Sequence, residues 1–199
     1  MNRYEKQKEA SRQAILQAAL TLFRDDGYYR TNVEAIITEA GVSRATFYKH
    51  FKSKFSLAEA LAREMMSYHD EAFDALALIP NPDFDTIAAW LESIIAINAR
   101  NKDLLAVLSE LFATEPRFRV HAQRNDTERI QKLSRSIPAF RRALADTESG
   151  SDARAAVQIL LYEIDTVLFR LRVQDWQVDK DSAVRFLAKQ VMNFIGEMG

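Results

Sequence analysis

Apolar residues recur at helical spacing along most of this chain, and residues that break helices are scarce. Only five Gly and four Pro occur among the 199 residues. No stretch of useful length alternates apolar and polar residues in the way that a half-buried strand does. Because a strand-and-turn architecture needs many turn residues and long helices need few, the sequence predicts an all-α fold of about nine helices.

Capping and breaking residues place these helices along the chain. Pro80 and Pro82 end the long fourth helix, and Pro116 suits the first turn of the seventh. The stretch Ile137–Asp152, which contains Gly150 and several small polar residues, predicts an irregular connection. With their caps, the nine predicted helices are Lys6–Asp25, Val33–Ala40, Ser43–His50, Ser53–Leu78, Asp83–Ala99, Lys102–Thr114, Pro116–Ser136, Ala153–Asp175 and Lys180–Met198.

Two short helices joined at Gly41 form the most informative part of the chain, within Thr31–Leu57. Glycine accommodates the positive φ that a tight turn between helices requires. Apolar side chains are spaced to pack the two helices together and onto the first helix. These are Ile36, Ala40, Val42, Phe47 and Phe51. The arrangement predicts a helix-turn-helix.

The remaining positions of the third helix are dense in groups that can bind DNA. Arg44 can contact guanine O6 and N7, and Thr46 can bond a base or touch a thymine methyl. Tyr48, Lys49, His50 and Lys54 suit phosphates, as do the amide ends of the helices near Thr31 and Lys54. Ala45 and the two capping residues, Asn32 and Ser43, complete the set. The predicted DNA-binding residues are Thr31, Asn32, Ser43, Arg44, Ala45, Thr46, Tyr48, Lys49, His50 and Lys54.

The distribution of charge supports a nucleic-acid partner. Residues 1–55 contain ten Lys and Arg against six Asp and Glu, whereas the rest contains seventeen against twenty-two. An N-terminal segment with excess positive charge, followed by a segment with excess negative charge, indicates that the N-terminal segment binds phosphate. The alternative is that the two short helices are only a compact element inside a helical bundle, and that the asymmetry is chance variation in a mixed surface.

The run A-G-V-S-R-A-T-F-Y-K-H-F-K-S-K closely resembles the signature of TetR-family regulators, and the upstream A-A-L-x-L-F followed by G-Y is similar to that family too. The resemblance covers about residues 10–60. It implies an Ω-shaped homodimer whose recognition helices enter successive major grooves of a palindromic operator. It also implies DNA contacts from Arg44, Ala45, Thr46, Tyr48, Lys49 and His50, together with Thr31 and Lys54. Phe55 stands where the family usually has an acidic residue, and is available to pack instead.

This resemblance implies a DNA-binding domain over residues 1–55 and an effector-binding and dimerisation domain over 56–199. In TetR-like proteins the last two long helices form a four-helix dimer interface. Two apolar stripes on these helices fit that interface and fit an intrachain core equally well. They are Val157, Leu160, Leu161, Ile164, Leu168 and Leu171, and Val184, Leu187, Val191, Phe194, Ile195 and Met198.

An unknown small-molecule effector is expected to bind the second domain. The protein is expected to act as a repressor, and the effector would release it from its operator through the fourth helix. Polar side chains at helical spacing can orient a ligand between aromatic walls. Those residues can equally form a solvated or intersubunit ionic stripe. The predicted ligand-binding residues are Trp90, Phe112, Tyr162, Glu163, Thr166, Phe169 and Arg170.

Other classes of function find little support. The chain has no Cys and only three His, at 50, 69 and 121, and it lacks the motifs of nucleophilic, zinc-dependent or phosphate-binding sites. We therefore predict no enzymatic activity, no metal and no cofactor. Without an apolar run of about 20 residues or a signal-peptide core, the chain is expected to be cytoplasmic with no membrane partner. A helical adaptor that binds only protein is the remaining alternative, and salt-dependent DNA retention separates it from a regulator.

Overall fold

A computed structural model describes residues 2–174 and 176–197, apart from the side chains of 119–126, 172–173 and 197. The described residues contain ten α-helices and no strand, so the predicted all-α fold is confirmed. Asp175 and Met198, which end two predicted helices, lie outside the described residues. The helices are α1 Arg3–Asp26, α2 Val33–Glu39, α3 Arg44–His50, α4 Lys54–Ala77, α5 Phe84–Arg100, α6 Lys102–Thr114, α7 Pro116–Leu133, α8 Pro138–Arg142, α9 Glu148–Val173 and α10 Lys180–Glu197.

The prediction of an irregular connection over Ile137–Asp152 was wrong at both ends. Pro138 opens the short helix α8, and α9 begins at Glu148 instead of Ala153. Thr147 caps α9, because its hydroxyl oxygen accepts a hydrogen bond of 3.0 Å from the amide of Gly150. A Cβ atom at Gly150 would lie 2.2 Å from the carbonyl oxygen of Ala145. Gly150 therefore permits a close backbone approach at the start of a helix and does not interrupt one.

The N-terminal helix is also longer than predicted. α1 begins at Arg3, three residues before the predicted start at Lys6, because Asn2 caps it. The side chain of Asn2 accepts from the amide of Glu5 at 2.9 Å, and the Glu5 carboxylate accepts from the amide of Asn2 at 2.8 Å. This reciprocal capping box satisfies two amides that a helix end otherwise leaves unpaired. The extra turn brings Tyr4 into α1.

One compact unit comprises residues 1–66 together with Asp103–Phe118. Its core is built from the inner faces of α1, α2, α3, the first half of α4 and α6. Phe55 packs edge-on against Phe118, with ring centroids 5.2 Å apart, and the Arg117 guanidinium lies 3.6 Å from the Phe55 ring centre. The largest fully buried side chains of this unit are Phe23, Phe47, Phe118, Ile15, Ile36, Leu57 and Leu111.

A second compact unit comprises Ser67–Lys102 and Arg119–Gly199. One apolar cluster joins α5, α9 and α10 with α8 and the adjoining parts of α4 and α7. The apolar stripes of the last two helices lie within or against this intrachain cluster, apart from Met198, which is outside the described residues. Among the described residues, no helix combines the length and the apolar character that a membrane span requires.

Candidate nucleic-acid interface

Local hydrogen bonds determine where the two short helices of the first unit begin. The Asn32 side chain accepts from the amide of Ala35 at 2.8 Å and so caps α2. Ser43 caps α3 by accepting from the amide of Thr46 at 3.1 Å. Gly41, between the helices, has a φ of +63°, and a Cβ atom there would meet nothing within 4 Å. The requirement for glycine at this turn is therefore conformational and not steric.

Burial of one face of α3 determines which side chains the other face presents. Phe47 is fully buried and lies beside Phe51, while Ile36 of α2 is fully buried in the same core. α1 contacts both short helices, which holds α3 against the unit along this apolar face. The opposite face carries no acidic residue. Its exposed side chains are Arg44, Ala45, Tyr48 and Lys49, with Thr46 and His50 partly exposed.

Arg44 is the most accessible candidate for reading a base. Its side chain is 68% exposed, and its guanidinium forms a 3.0 Å ion pair with the carboxylate of Glu34 on α2. The same guanidinium lies 5.6 Å from the centre of the Tyr48 ring. Exposed ion pairs of this kind contribute only about 0.2–1 kcal/mol. A guanine can therefore displace Glu34 at low cost.

Lys49 and His50 at the end of α3 contact the first turns of α1. The ammonium of Lys49 donates to the hydroxyl of Tyr4 at 2.7 Å, and this hydrogen bond lowers the pKa of Tyr4. His50 Nε2 lies 2.8 Å from the hydroxyl of Ser11. Burial, and then the charges of nearby cations beginning with Lys8, lower the pKa of His50. The Ser11 hydroxyl donates to the carbonyl of Lys8 at 2.9 Å, so Nε2 of the neutral His50 ring donates to Ser11.

Lys54 is directed into the first unit. Its ammonium donates to the carbonyl oxygens of Tyr28 at 2.7 Å and Thr31 at 2.8 Å, and lies 4.3 Å from the Tyr28 ring centre. Burial lowers the pKa of Lys54. Thr31 is also directed inward, because its buried hydroxyl donates to the carbonyl of Gly27 at 2.9 Å. Both side chains thus stabilise the connection between α1, α2 and α4, and their direct contact with DNA stays a prediction.

Sequence reasoning missed Tyr4 and Ser11, which the structure places beside the end of α3. Ser11 belongs to the predicted first helix, but its contact with His50 joins residues 39 positions apart. Tyr4 was outside the predicted helix because the Asn2 capping box was not recognised. The pattern Asn-x-x-Glu at residues 2–5 is the signal that would have located the helix start.

The predicted ligand-binding residues are divided between the two units. Phe112 belongs to the first unit, where its ring lies 5.8 Å from that of Phe118. Trp90 is buried in the second unit, and its indole N–H donates to the carbonyl of Ala72 at 2.8 Å. The other five residues lie on α9. Of these Tyr162 and Arg170 are exposed, whereas Glu163, Thr166 and Phe169 are partly exposed.

Known proteins are similar to this chain in sequence and in fold. A family model described as bacterial regulatory proteins, tetR family, matches residues 15–61. An uncharacterized HTH-type transcriptional regulator of Bacillus subtilis, YvdT, is 28% identical over 103 residues, which are 51% of this chain and 53% of that protein. The fatty acid metabolism regulator protein of the same species is 23% identical over 184 residues, covering 87% of this chain and 90% of that protein.

A similar fold is found in a TetR-like transcriptional regulator from Rhodococcus sp. RHA1, with a TM-score of 0.64 at 21% identity over 94% of this chain and 96% of that one. The matched segment of this chain contains α2, the Gly41 turn and α3. Residues 15–61 therefore match the tetR family of bacterial regulatory proteins in sequence and contain a helix-turn-helix. The fold of the chain is similar to that of a TetR-like transcriptional regulator.

Proposed function

We propose that this protein is a transcriptional repressor that binds a palindromic operator in double-stranded DNA as a homodimer, and that a small-molecule effector releases it. The observation that supports DNA binding best is the outer face of α3, which presents donors and cations and no acidic residue. Arg44 and Thr46 contact bases, whereas Tyr48, Lys49 and His50 contact phosphates. We assign DNA binding to residues 1–55 and effector binding and dimerisation to 56–199, in a protein that acts in the cytoplasm.

Exposed apolar residues support a homodimer through the last two helices. The stripes predicted for this role are buried within the chain, so a different face of α9 and α10 is available to a second copy. Among the exposed residues of these two helices, Ile159 is 66% exposed, Tyr162 is 72% exposed and Phe186 is 53% exposed. Large apolar side chains with this exposure on neighbouring helices are typical of a protein–protein interface. A two-fold dimer also doubles the DNA contacts of one short recognition helix.

Effector release requires a connection between effector binding and the DNA-binding helices. α4 begins beside the helix-turn-helix at Lys54 and continues past the boundary between the two compact units, which falls after Met66. A helix that belongs to both units transmits a displacement from one to the other. The effector therefore reduces the population of dimers whose recognition helices fit the operator.

DNA titration tests the proposal directly. Purified protein is titrated against its own upstream intergenic DNA and against scrambled DNA of the same length. We expect selective binding at a stoichiometry of one dimer per operator, and a loss of about 1–3 kcal/mol of that selectivity in Arg44→Ala. Arg135→Ala is the matched control, because this exposed arginine of the second unit changes the net charge equally. Absence of DNA binding even at low salt would favour the adaptor that binds only protein.

The oligomeric state is tested by light scattering coupled to size-exclusion chromatography. Ile159→Glu introduces a charge into the proposed interface and is expected to shift dimers towards monomers. Leu144→Glu is the control, since Leu144 is also an exposed apolar residue, at 47%, but lies outside α9 and α10. Equal dimer populations in both variants would exclude this interface.

A further inference from the structure

A buried arginine of the second unit is paired with a partly exposed aspartate. Arg129 of α7 has a side chain only 7% exposed, and its Nη1 donates to Asp165 Oδ2 of α9 at 3.2 Å. The guanidinium carbon lies 4.2 Å from the centre of the Phe73 ring. That ring packs edge-on against Trp90, with centroids 5.3 Å apart. The ion pair is therefore enclosed on one side by aromatic rings from α4 and α5.

Two atoms of this pair have no hydrogen-bond partner. Arg129 Nε and Asp165 Oδ1 are both buried, and neither is paired within the part of the chain that the structure describes. Other buried polar side chains of this unit are bonded. Asn98 Oδ1 lies 2.9 Å from His69 Nε2, and the hydroxyl of Ser134 donates to a carbonyl at 2.7 Å. Burial of an unpaired donor beside an unpaired acceptor is unfavourable, and such a site calls for an additional partner.

We propose that Arg129 and Asp165 recognise the effector, and that the effector presents to them a neutral group that both accepts and donates a hydrogen bond, such as a primary amide. This inference rests on the proposed effector-controlled function. In each side chain the unpaired atom shares a carbon with the paired atom, so one small group can reach both. A carboxylate would satisfy Nε but repel Asp165, whereas an ammonium would satisfy Oδ1 but repel Arg129.

The pair lies close to the surface of its unit and to apolar side chains, although its two unpaired atoms are buried. The Asp165 side chain is 37% exposed, so the pair reaches the surface of its unit along α9. Tyr162 and Phe169 precede and follow Asp165 by three and four residues, which places both beside it on the helix surface. The body of the effector packs against the Phe169 ring while its neutral group meets the ion pair, and Tyr162 is already assigned to the proposed dimer interface. Two of the residues predicted from the sequence thus flank the proposed recognition point.

Nitrogen-15 NMR of the full-length protein tests the proposal without an identified effector. The Arg129 Nε–H signal is assigned by its contacts with Phe73 ring protons and by its loss in Arg129→Lys. Acetamide, sodium acetate and methylammonium chloride are titrated separately at equal ionic strength. We expect acetamide to shift the signal saturably, with an affinity about tenfold higher than either ion. Arg141, whose Nε already donates to the carbonyl of Ser134 at 3.3 Å, is the internal control.

The remaining outcomes overturn the proposal. A stronger response to acetate or methylammonium would exclude a neutral group as the recognised feature. No saturable shift with any probe would exclude a ligand at this pair, and a contact between water protons and the Nε–H would identify water as the partner. The operator titration of the same protein is independent of these results. Intact DNA binding with no acetamide response would reject the ligand assignment and leave the regulator function in place.

Discussion

Replacement of Lys54 by methionine separates a structural role from a DNA-contacting role. In the structure the Lys54 ammonium donates to the carbonyls of Tyr28 and Thr31 and lies over the Tyr28 ring. Methionine preserves most of the apolar stem and removes the charge and both hydrogen bonds. If the inward contacts are the function of this side chain, the variant is less stable, whereas loss of a phosphate contact alone would leave stability unchanged.

The size of the effect follows from the two hydrogen bonds. A hydrogen bond to a charged group contributes about 1.5–3 kcal/mol. The two share one partly exposed ammonium, so we expect the free energy of unfolding to fall by about 2 kcal/mol, less than two independent bonds would give. For a chain of this size that corresponds to a decrease in Tm of about 4–8 °C. Lys52→Met is the matched control, because Lys52 is exposed and carries the same charge two residues away.

Two assays distinguish the roles of Lys54. Calorimetry measures Tm, and DNA titrations at several salt concentrations, well below Tm, measure how steeply the logarithm of affinity falls with the logarithm of salt. Each phosphate contact contributes about 0.9 to that slope. We expect Lys54→Met to lower Tm and keep the wild-type slope. If Lys54→Met had the same Tm as Lys52→Met and a slope reduced by about 0.9, the reasoning would be refuted and Lys54 would be assigned to a phosphate contact.

Three further predictions address acid stability, a glycine and an ion pair. Because the folded chain lowers the pKa of His50 below its usual 6.5, the contribution of His50 to stability is fully present above pH 6.5 and is lost as the pH falls below that value towards the pKa of the folded state. Urea unfolding at pH 7.5 and 5.5 should therefore show a smaller loss of unfolding free energy in His50→Gln than in the wild type. Gly150→Ala should lower Tm because its Cβ would meet a backbone carbonyl, whereas Gly196→Ala, with open space, should not. Glu34→Gln should raise the affinity for random duplex DNA about 1.5- to 5-fold, the equivalent of about 0.2–1 kcal/mol. The exposed Glu39→Gln is the control, and an affinity equal to that of Glu34→Gln would contradict this prediction.

The parts of the fold that local chemistry determines could be predicted from the sequence. Asn32 and Ser43 cap α2 and α3 as expected, and Gly41 adopts the positive φ that the turn requires. The alternation of buried Ile36 and Phe47 with polar neighbours also located the inner and outer faces of the helix-turn-helix. Capping and amphipathic spacing act over a few residues, so a single sequence contains their full pattern.

The parts that long-range contacts determine could not be predicted in this way. Lys54 has the same local sequence context whether it points outward or towards carbonyls 23 and 26 residues earlier in the chain. Arg129 and Asp165 are 36 residues apart, and neither position has a local signal for a buried charge. Gly150 was interpreted as a breaker because the approach of the Ala145 carbonyl depends on the packing of the backbone.

The contacts of the recognition helix in the unbound protein have a consequence for DNA selectivity. Arg44 is paired with Glu34 at 3.0 Å and Lys49 is bonded to Tyr4 at 2.7 Å, so binding to DNA must exchange these contacts. A solvent-exposed ion pair is worth about 0.2–1 kcal/mol. An exchange of Glu34 for a single phosphate is therefore close to neutral, because both are exposed anions. A guanine edge bound bidentately contributes about 1–3 kcal/mol of discrimination, which exceeds the cost of releasing Glu34. Because release of Glu34 costs the same in both binding modes, the acidic neighbour lowers total affinity, while selectivity is set by the about 1–3 kcal/mol that the guanine edge contributes.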